Sequence, residues 1–333
     1  MIKIQENILL KDLTTFRIGG HARYFVVVKN EEDFHEIFIF AKSRKLSVFI
    51  LGGGSNVLIA EHHFSGLVIK NEIKGIKFQG EILTVGAGEI LDDIINLSVM
   101  RNLSGLENLS GIPGTVGGSV VQNAGAYGVE IKDILLSVSG LNLSNGKKFV
   151  LKNNDCQFAY RSSIFKKSKK YIITSVTFKL SKKPIFDINY TGLKKKLEGE
   201  ANITLFKIRE VVLQIRAEKL PDWHKVGTAG SFFKNPIISQ EKYKELKEKF
   251  LDLPGFPEEK GRVKVSLAWI FDKICELKGY KEGNIGLYDK QPIVLVNFGG
   301  ATAEEIKIFS EKIKKIVKEK TGIKIEEEVE KVE

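Results

Sequence analysis

Cysteine is scarce in this chain, and long apolar runs are missing altogether. Only Cys156 and Cys275 occur among 333 residues, too few for a disulfide framework or for the three or four protein ligands of a zinc site. Five scattered histidines add no metal-binding pattern, so we expect no bound metal. No run of ~18 apolar residues occurs, and the opening MIKIQENILLKD lacks a signal-peptide pattern. We therefore predict no membrane insertion and a cytoplasmic location.

The charge is unbalanced towards the basic side. Lysine and arginine number 52 against 41 acidic residues, which gives a net charge of +11. Such a charge attracts nucleic acid, an anionic membrane or a phosphorylated small molecule, and it does not choose among them. No zinc-finger spacing, RNP-like aromatic pattern or basic zipper supports nucleic-acid binding. Much of the excess lies in lysine-rich stretches such as KKSKK, which are typical of solvated surface.

Strand and helix patterns mix along the chain, and the length suggests two or three domains. Strands are predicted for YFVVV, VFILGG, ILLSVSGLNL, YIITSVTFKL and PIVLVNF. Helices are predicted for EDFHEIFIFAKSRK, ILDDIINLSVMRNL, ITLFKIREVVLQIRAEK, SQEKYKELKEKFLDL, VSLAWIFDKICEL and AEEIKIFSEKIKKIVKEKTG, the last of which should end at Gly322. KLPDWHK is interpreted as a hinge into a third segment.

Two glycine-rich loops are candidates for phosphate binding. LGGGSNVLI, residues 51–59, follows an apolar strand, and glycines let backbone N–H groups approach an anion. It is neither GxGxxG nor a P-loop, and a tight hairpin explains it equally well. SGIPGTVGGSVVQNAGAYG holds six glycines within eighteen residues, and its apolar residues argue against the alternative of a disordered linker. Together the loops could wrap the diphosphate of a dinucleotide.

The stretch GTAGSFFKNP, residues 227–236, places one serine between small residues and two phenylalanines. Taken alone it is typical of a turn followed by a short, half-buried strand. A catalytic serine, Ser231, is the alternative.

These motifs, together with the opening TTFRIGG, YRSS at residues 160–163, KLPD and the terminal EEEVE, resemble in their order the UDP-N-acetylenolpyruvoylglucosamine reductase family. The resemblance covers nearly the whole chain. It implies an α+β fold with a two-part FAD-binding region of vanillyl-alcohol-oxidase type and a third, α+β substrate-binding domain. The implied domains are residues 1–70 and 71–218 for FAD, with the tail 323–333 packing near the first, and 219–322 for substrate.

The resemblance also implies an activity, which is NADPH-dependent reduction of a UDP-sugar enol ether through non-covalent FAD, in a monomer. It implies Ser231 as proton donor, Arg161 as activator of the substrate carboxylate and Glu328 as the partner of Ser231. Glu326, Glu327 and Glu328 run together, so the sequence does not fix which glutamate has this role. The expected cofactor-binding residues are Gly52, Gly53, Gly54, Ser55, Asn56, Gly114, Thr115, Gly118, Ser119 and Arg216, and the expected substrate-binding residues are Tyr190, Lys219, Asn235 and Lys278.

The residue types suit this chemistry. Hydride addition to an enol ether leaves carbanion character beside a carboxylate, and a guanidinium offers forked donors to that carboxylate. A positioned acid must then protonate the carbon. Two alternatives remain open at this point, an oxidase of the vanillyl-alcohol type with the same FAD loops and a non-enzymatic nucleic-acid binder. Reaction of the flavin with oxygen in the absence of NADPH would identify an oxidase. A salt-dependent affinity for a random duplex would identify a nucleic-acid binder.

Overall fold

The computed structural model describes residues 2–183 and 186–333. The strands are β1 (Gln5–Leu9), β2 (His21–Val28), β3 (Val48–Leu51), β4 (Val57–Ile59), β5 (Phe64–Asn71), β6 (Ile76–Gln79), β7 (Ile82–Gly86), β8 (Gly125–Ala126), β9 (Val129–Glu130), β10 (Leu135–Asn142), β11 (Lys148–Lys152), β12 (Tyr171–Lys179), β13 (Gly227–Ser231), β14 (Ile237–Ser239), β15 (Gly255–Glu258), β16 (Arg262–Val265), β17 (Lys281–Glu282), β18 (Ile285–Leu287), β19 (Val294–Asn297) and β20 (Glu330–Val332).

The α-helices are α1 (Phe34–Ser43), α2 (Leu91–Met100), α3 (Val116–Gln122), α4 (Ile131–Ile134), α5 (Ile164–Lys167), α6 (Thr191–Leu197), α7 (Leu205–Lys219), α8 (Gln240–Lys249), α9 (Leu267–Trp269) and α10 (Ala303–Thr321). Short 3₁₀ turns lie at Lys11–Leu13, Glu31–Asp33, Glu107–Leu109, Asn153–Cys156 and Glu259–Gly261. None of the helices in the described ranges is both long enough and apolar enough to span a bilayer.

The chain divides into two compact units. The first unit comprises Met1–Ile8, Ala22–Gly54 and Phe64–Ala217, and the second comprises Leu9–His21, Ser55–His63 and Glu218–Glu333. The predicted boundary at residues 70 and 71 falls inside the first unit, and the predicted boundary at 218 and 219 lies one residue from the start of the last segment of the second unit. Residues 1, 184 and 185 of the predicted FAD region lie outside the described residues.

The first unit is built on two sheets. One has the strand order β1-β2-β5-β3, in which β2 and β3 both run parallel to β5. The other is antiparallel with the order β11-β10-β12-β7-β6. Helix α1 buries Phe34, Ile37 and Ala41, at helical three-to-four spacing, against buried residues of β2 and β5. Helix α2 packs in the same way in the cluster that contains Leu83 and Val176 of the second sheet.

Helices α6 and α7 form a separate apolar cluster of the first unit. Its buried members are Leu193, Leu197, Ile208, Val211, Val212 and Ile215. The spacing of the α7 residues is that of one helical face, as its sequence predicted.

The second unit holds an antiparallel sheet β13-β19-β18-β17, a smaller sheet β14-β16-β15, and the parallel pair β20-β4. Its longest helix, α10, starts at a capping box in which Thr302 and Glu305 satisfy each other's backbone N–H groups. It ends at Gly322, whose φ of 73° is left-handed, as predicted. The buried face of α10 packs into the core of this unit.

The predicted helix VSLAWIFDKICEL is shorter than expected. Only Leu267–Trp269 is α-helical, and Ile270–Ile274 forms a π-helical turn in which the N–H of Cys275 donates to the carbonyl of Ile270 at 2.9 Å. The helical backbone ends at Glu276, whose φ of +58° is left-handed. The Lys320 ammonium of α10 donates to the carbonyl of Ile274 at 3.1 Å and so satisfies one carbonyl at this helix end.

Candidate active site

The two glycine-rich loops of the sequence meet in the first unit. A Cβ added at Gly53 would stand 2.5 Å from the Cα of Gly114, and one added at Gly52 would stand 2.8 Å from the Thr115 hydroxyl oxygen. Glycine is required at both positions because any side chain would separate the loops. The loop after β3 and the loop before α3 therefore form one backbone surface.

That surface carries backbone donors suited to an anion. Within residues 2–183 and 186–333, the N–H groups of Gly53, Gly54 and Gly114 donate no hydrogen bond. The N–H groups of Val116 and Gly117, in contrast, donate to backbone carbonyls at 2.9 and 2.8 Å. Adjacent N–H groups without partners at a glycine loop form a concave site for a phosphate. The residues present thus fit the diphosphate of FAD.

The remaining predicted cofactor residues differ in how their side chains are used. Thr115 caps α3 by accepting from the N–H of Gly118, and the Ser119 hydroxyl donates to the Val116 carbonyl at 2.7 Å. Ser55 and Asn56 belong to the second unit, where the Asn56 carbonyl accepts from the N–H of Glu330 at 3.1 Å.

An ion pair that the sequence analysis missed supports the second glycine loop. Asp92 on α2 accepts from the N–H of Gly111 at 2.6 Å and from both terminal nitrogens of Arg209 at 2.6 and 2.8 Å. Burial alone would raise the pKa of Asp92, but these bonds outweigh it and hold that pKa below its ordinary value. Both residues are ordinary charged positions on amphipathic helices, so no sequence signal marked them.

Arg216 lies close to Gly111 in the second glycine loop. The nearest atoms to a Cβ added at Gly111 include the Arg216 Nε at 3.1 Å. Burial lowers the pKa of Arg216, and its contacts with Tyr127 and Asp92 oppose that shift. A half-buried guanidinium beside the glycine loop is a suitable counter-charge for a diphosphate.

Arg161 lies within a tight turn closed by a bridge between Ala159 and Ser162, and its side chain is held by its neighbours. Its Nη2 donates to the Gly125 carbonyl at 2.6 Å, its Nη1 lies 3.7 Å from a carboxylate oxygen of Glu130, and its guanidinium carbon lies 5.1 Å from the centre of the Tyr160 ring. The backbone φ of Arg161 is +53°, a conformation that costs energy for a side chain of this size. The fold therefore fixes this guanidinium in the turn before α5, against the carbonyl of Gly125 in the second glycine motif.

Tyr190 lies at the start of α6 and is 42% exposed. Its ring stands at right angles to that of Tyr127 with 5.0 Å between centroids. Asn108, also missed from the sequence, is buried and donates to the carbonyls of Tyr127 at 2.8 Å and Asp187 at 2.7 Å. One amide thus ties the base of the Tyr190 segment to the glycine-rich loop.

In the second unit, Ser231 ends strand β13 at an irregularity in the sheet. The pairing of β13 with β19 shifts between Thr228 and Ser231, and Gly230 has a left-handed φ of +74°. Phe232 and Phe233 are buried, with ring centroids 5.1 Å apart. The Ser231 hydroxyl makes no hydrogen bond in the described part of the chain. The buried rings of Phe232 and Phe233 fix the backbone after Ser231, and Gly230 allows the left-handed conformation before it. The hydroxyl of Ser231 is left available.

The TTFRIGG motif braces the start of this serine strand. The Thr15 hydroxyl donates to the Thr228 carbonyl at 2.6 Å, and the N–H of Thr228 donates to the Thr15 carbonyl at 2.9 Å. The Arg17 guanidinium donates to the carbonyl of His224 at 2.6 Å. The motif, which the sequence suggested only as part of a cofactor region, thus lies in the same unit as Ser231.

The three consecutive glutamates have different surroundings. Glu326 is 76% exposed and pairs with Lys234 at 3.1 Å. Glu327 is 10% exposed and accepts from Ser310 at 2.6 Å, Lys314 at 2.7 Å and Lys331 at 2.6 Å. The N–H of Glu328 donates to the Phe232 carbonyl at 2.8 Å, which places Glu328 beside the residue after Ser231.

The other predicted substrate residues also belong to the second unit. Lys219, at the end of α7, and Lys278 are exposed. Asn235 accepts from the N–H of Leu267 at 2.9 Å through its side-chain oxygen. Its amide nitrogen has no partner in the described ranges, which leaves it able to donate to a ligand. Ser231, Glu328, Lys219, Asn235 and Lys278 therefore share one unit, and Arg161, Tyr190 and Arg216 the other.

Comparison with known proteins gives matches over both units. A family model described as an FAD binding domain matches residues 22–151, and the model of the UDP-N-acetylenolpyruvoylglucosamine reductase C-terminal domain matches residues 222–332. The α+β fold with an FAD-binding region, expected from the sequence, is thereby confirmed.

Curated relatives match along the whole length. Proteins named UDP-N-acetylenolpyruvoylglucosamine reductase from Bacteroides fragilis and Porphyromonas gingivalis are 40% and 38% identical, covering 98% of this chain and 99% and 98% of theirs. A crystal structure of the enzyme of that name from Thermus caldophilus matches with a TM-score of 0.72 at 24% identity and covers all of both chains. These matches confirm the predicted family and make the chain a flavin-dependent oxidoreductase. The chain belongs to the UDP-N-acetylenolpyruvoylglucosamine reductase family.

Proposed function

We propose that this chain reduces the enolpyruvyl ether of UDP-N-acetylglucosamine to UDP-N-acetylmuramate, a step of peptidoglycan precursor synthesis, with NADPH as reductant and non-covalent FAD. The main support within the structure is the pairing of residues 232–234, directly after Ser231, with residues 326–328, which brings Glu328 next to Phe232. A hydroxyl without a partner can supply the proton that a carbanion needs, and a carboxylate on the neighbouring segment can orient it.

Bound FAD would supply the hydride-transfer chemistry between the nicotinamide and the substrate. The glycine surface of Gly52, Gly53 and Gly114 would hold its diphosphate through backbone N–H groups, with Gly54, Thr115, Gly118 and Ser119 extending that surface. Ser55 and Asn56 are also proposed to bind the cofactor. Arg216 would supply positive charge. No covalent link is proposed.

Arg161 would bind the substrate carboxylate. Its contacts with the Gly125 carbonyl at 2.6 Å and the Glu130 carboxylate at 3.7 Å fix the position of the guanidinium that the substrate carboxylate would meet. Placing fixed positive charge where negative charge develops is usually the largest catalytic contribution. Arg161 would thereby stabilise the enolate that forms when hydride adds to the terminal carbon of the enol ether, one carbon further from the carboxylate.

Ser231 would donate its hydroxyl proton to the carbon beside that carboxylate. A serine is a weak acid, but the receiving carbon is strongly basic, so the transfer is downhill. Glu328 would accept a hydrogen bond at this site and orient the reacting groups. The buried rings of Phe232 and Phe233 hold the serine backbone in place, and positioning of this kind is a major source of rate acceleration.

Substrate binding is assigned to four residues. Lys219 and Lys278 would neutralise the diphosphate, and the amide nitrogen of Asn235 would donate to the substrate. Tyr190 would contact the diphosphate from the segment that Asn108 ties down. The net charge of +11 suits a ligand with two phosphates and a carboxylate. We further propose that the protein acts as a monomer in the cytoplasm, where NADPH and nucleotide sugars occur.

An anaerobic spectral titration tests the proposal. The purified protein, reconstituted with FAD, should show flavin absorbance that bleaches with NADPH and returns when the enol ether is added. Bleaching without recovery would exclude this substrate. Failure to bind FAD would contradict the proposal as a whole, and bleached flavin that is restored only by oxygen would favour an oxidase.

A further inference from the structure

The carboxylate of Glu327, in the terminal segment of residues 323–333, is held by three donors. One oxygen accepts from the Ser310 hydroxyl at 2.6 Å and the Lys314 ammonium at 2.7 Å, and the other accepts from Lys331 at 2.6 Å. Ser310 and Lys314 are one turn apart on α10 and so lie on the same helical face. Glu327 therefore fastens the terminal segment to the longest helix of the unit.

The backbone around Glu327 also pairs with residues 232–234, which directly follow Ser231. Phe233 and Glu327 form an antiparallel bridge, the N–H of Lys234 donates to the Glu326 carbonyl at 2.9 Å, and the N–H of Glu328 donates to the Phe232 carbonyl at 2.8 Å. In an extended segment, neighbouring side chains point to opposite faces. While Glu327 faces α10, Glu328 faces away from it.

The ion pair between Glu327 and Lys314 keeps its charges although both groups are partly buried. Burial works to raise the pKa of Glu327, yet its bonds to Lys314, Lys331 and Ser310 bring that pKa below its ordinary value. Lys314 is also buried in part, and its pKa is nevertheless raised by the bonds to Glu311 and Glu327. Both directions agree that the charged pair is the stable form, so the attachment persists at neutral pH.

We infer that Glu327 is a positioning residue of the proton-transfer site, which fixes the register of residues 326–328 so that Glu328 stays beside the Ser231 strand. This rests on the proposed roles of Ser231 and Glu328. Glu327 does not itself act on the substrate, since both of its oxygens are already occupied by donors. Loss of its carboxylate would leave Ser310, Lys314 and Lys331 without this partner and release the segment.

Separate measurement of the two half-reactions tests this role. In stopped-flow experiments, Glu327→Ala should leave flavin bleaching by NADPH within about 2-fold of wild type. Reoxidation by the enol ether should slow by up to about 10²-fold, the loss typical of a 1 Å misplacement. Glu327→Gln keeps the shape and part of the hydrogen bonding, so it should fold. Its rate of flavin reoxidation should lie between those of wild type and Glu327→Ala. Glu311→Gln is the matched control, because Glu311 also bonds Lys314, at 2.7 Å, but lies on α10 rather than on the terminal segment.

Equal rates of reoxidation in wild type and Glu327→Ala would overturn the inference, and so would equal slowing of both half-reactions. Amide hydrogen exchange measures the same attachment without substrate. The N–H groups of Glu328 and Lys234 should exchange faster in both Glu327 variants than in wild type and Glu311→Gln. If the wild-type flavin is not reoxidised by the enol ether, the proposed function fails, and the exchange rates still decide whether Glu327 holds the segment. Exchange rates in the Glu327 variants equal to those of wild type would then reject the role of Glu327 in holding the segment.

Discussion

Replacing Gly53 by alanine should weaken FAD binding because the two glycine loops are in direct backbone contact. The added Cβ would stand 2.5 Å from the Cα of Gly114, whereas ordinary contact begins at 3.4 Å, so the loops must separate by about 0.9 Å. The obstructing atoms belong to the backbone and cannot rotate away. Overpacking of this kind costs about 1–3 kcal/mol. If that cost falls on the FAD-competent arrangement, Kd for FAD rises roughly 5- to 150-fold.

The assay is titration of apoprotein with FAD, followed by flavin fluorescence, with thermal unfolding recorded alongside. Gly80→Ala is the matched control, because Gly80 has a left-handed φ of +64° but no atom within 4 Å of an added Cβ. It should lower stability slightly through backbone strain and leave Kd for FAD unchanged. Wild-type FAD affinity in Gly53→Ala would refute the assignment of this contact to the cofactor site.

Three further substitutions test the site. Ser231→Ala should slow flavin reoxidation by the enol ether by about 10²–10⁴-fold while NADPH still bleaches the flavin at the wild-type rate; equal loss in both half-reactions would exclude a proton-donor role. Arg161→Lys should also slow reoxidation, since an ammonium lacks forked donors, and unchanged kinetics would show that the fork is not used. Asp92→Asn should lower the free energy of unfolding at pH 7 by about 1–3 kcal/mol. Because the folded-state pKa of Asp92 lies below its ordinary value of 3.8, this difference should shrink as the pH falls below that value, and a gap independent of pH in urea titrations would contradict the ion pair with Arg209.

Much of the secondary structure could be predicted because each element carries its own periodicity. The apolar spacing of α1, α2, α7, α8 and α10 predicted helices that the structure contains, and Gly322 marked the end of α10. The strands that cover YFVVV, VFILGG and YIITSVTFKL likewise occur. The π-helical turn at Ile270–Ile274 was not predicted, since the apolar spacing of this stretch does not distinguish a π-helical turn from an ordinary α-helix.

The contacts that build the candidate site were less accessible to sequence reasoning. Gly53 and Gly114 are far apart in the chain, and no pattern in either loop predicts that their backbones lie in close contact. Asp92 and Arg209 each resemble a solvated residue on a helical surface until the fold brings them within 2.6 Å. Asn108 bonds two carbonyls whose positions depend on separate loops. Sequence patterns identify the loops, and tertiary structure decides which side chains brace them.

The glutamate run shows why register matters more than residue type. Glu326, Glu327 and Glu328 have the same chemistry, so composition could not separate them. Pairing with Phe232, Phe233 and Lys234 separates them, because it fixes which carboxylate faces α10. A slip of one residue would exchange the faces of Glu327 and Glu328 and break the bonds to Ser310, Lys314 and Lys331. The same bonds that occupy both oxygens of Glu327 therefore also protect the register on which the proposed role of Glu328 depends.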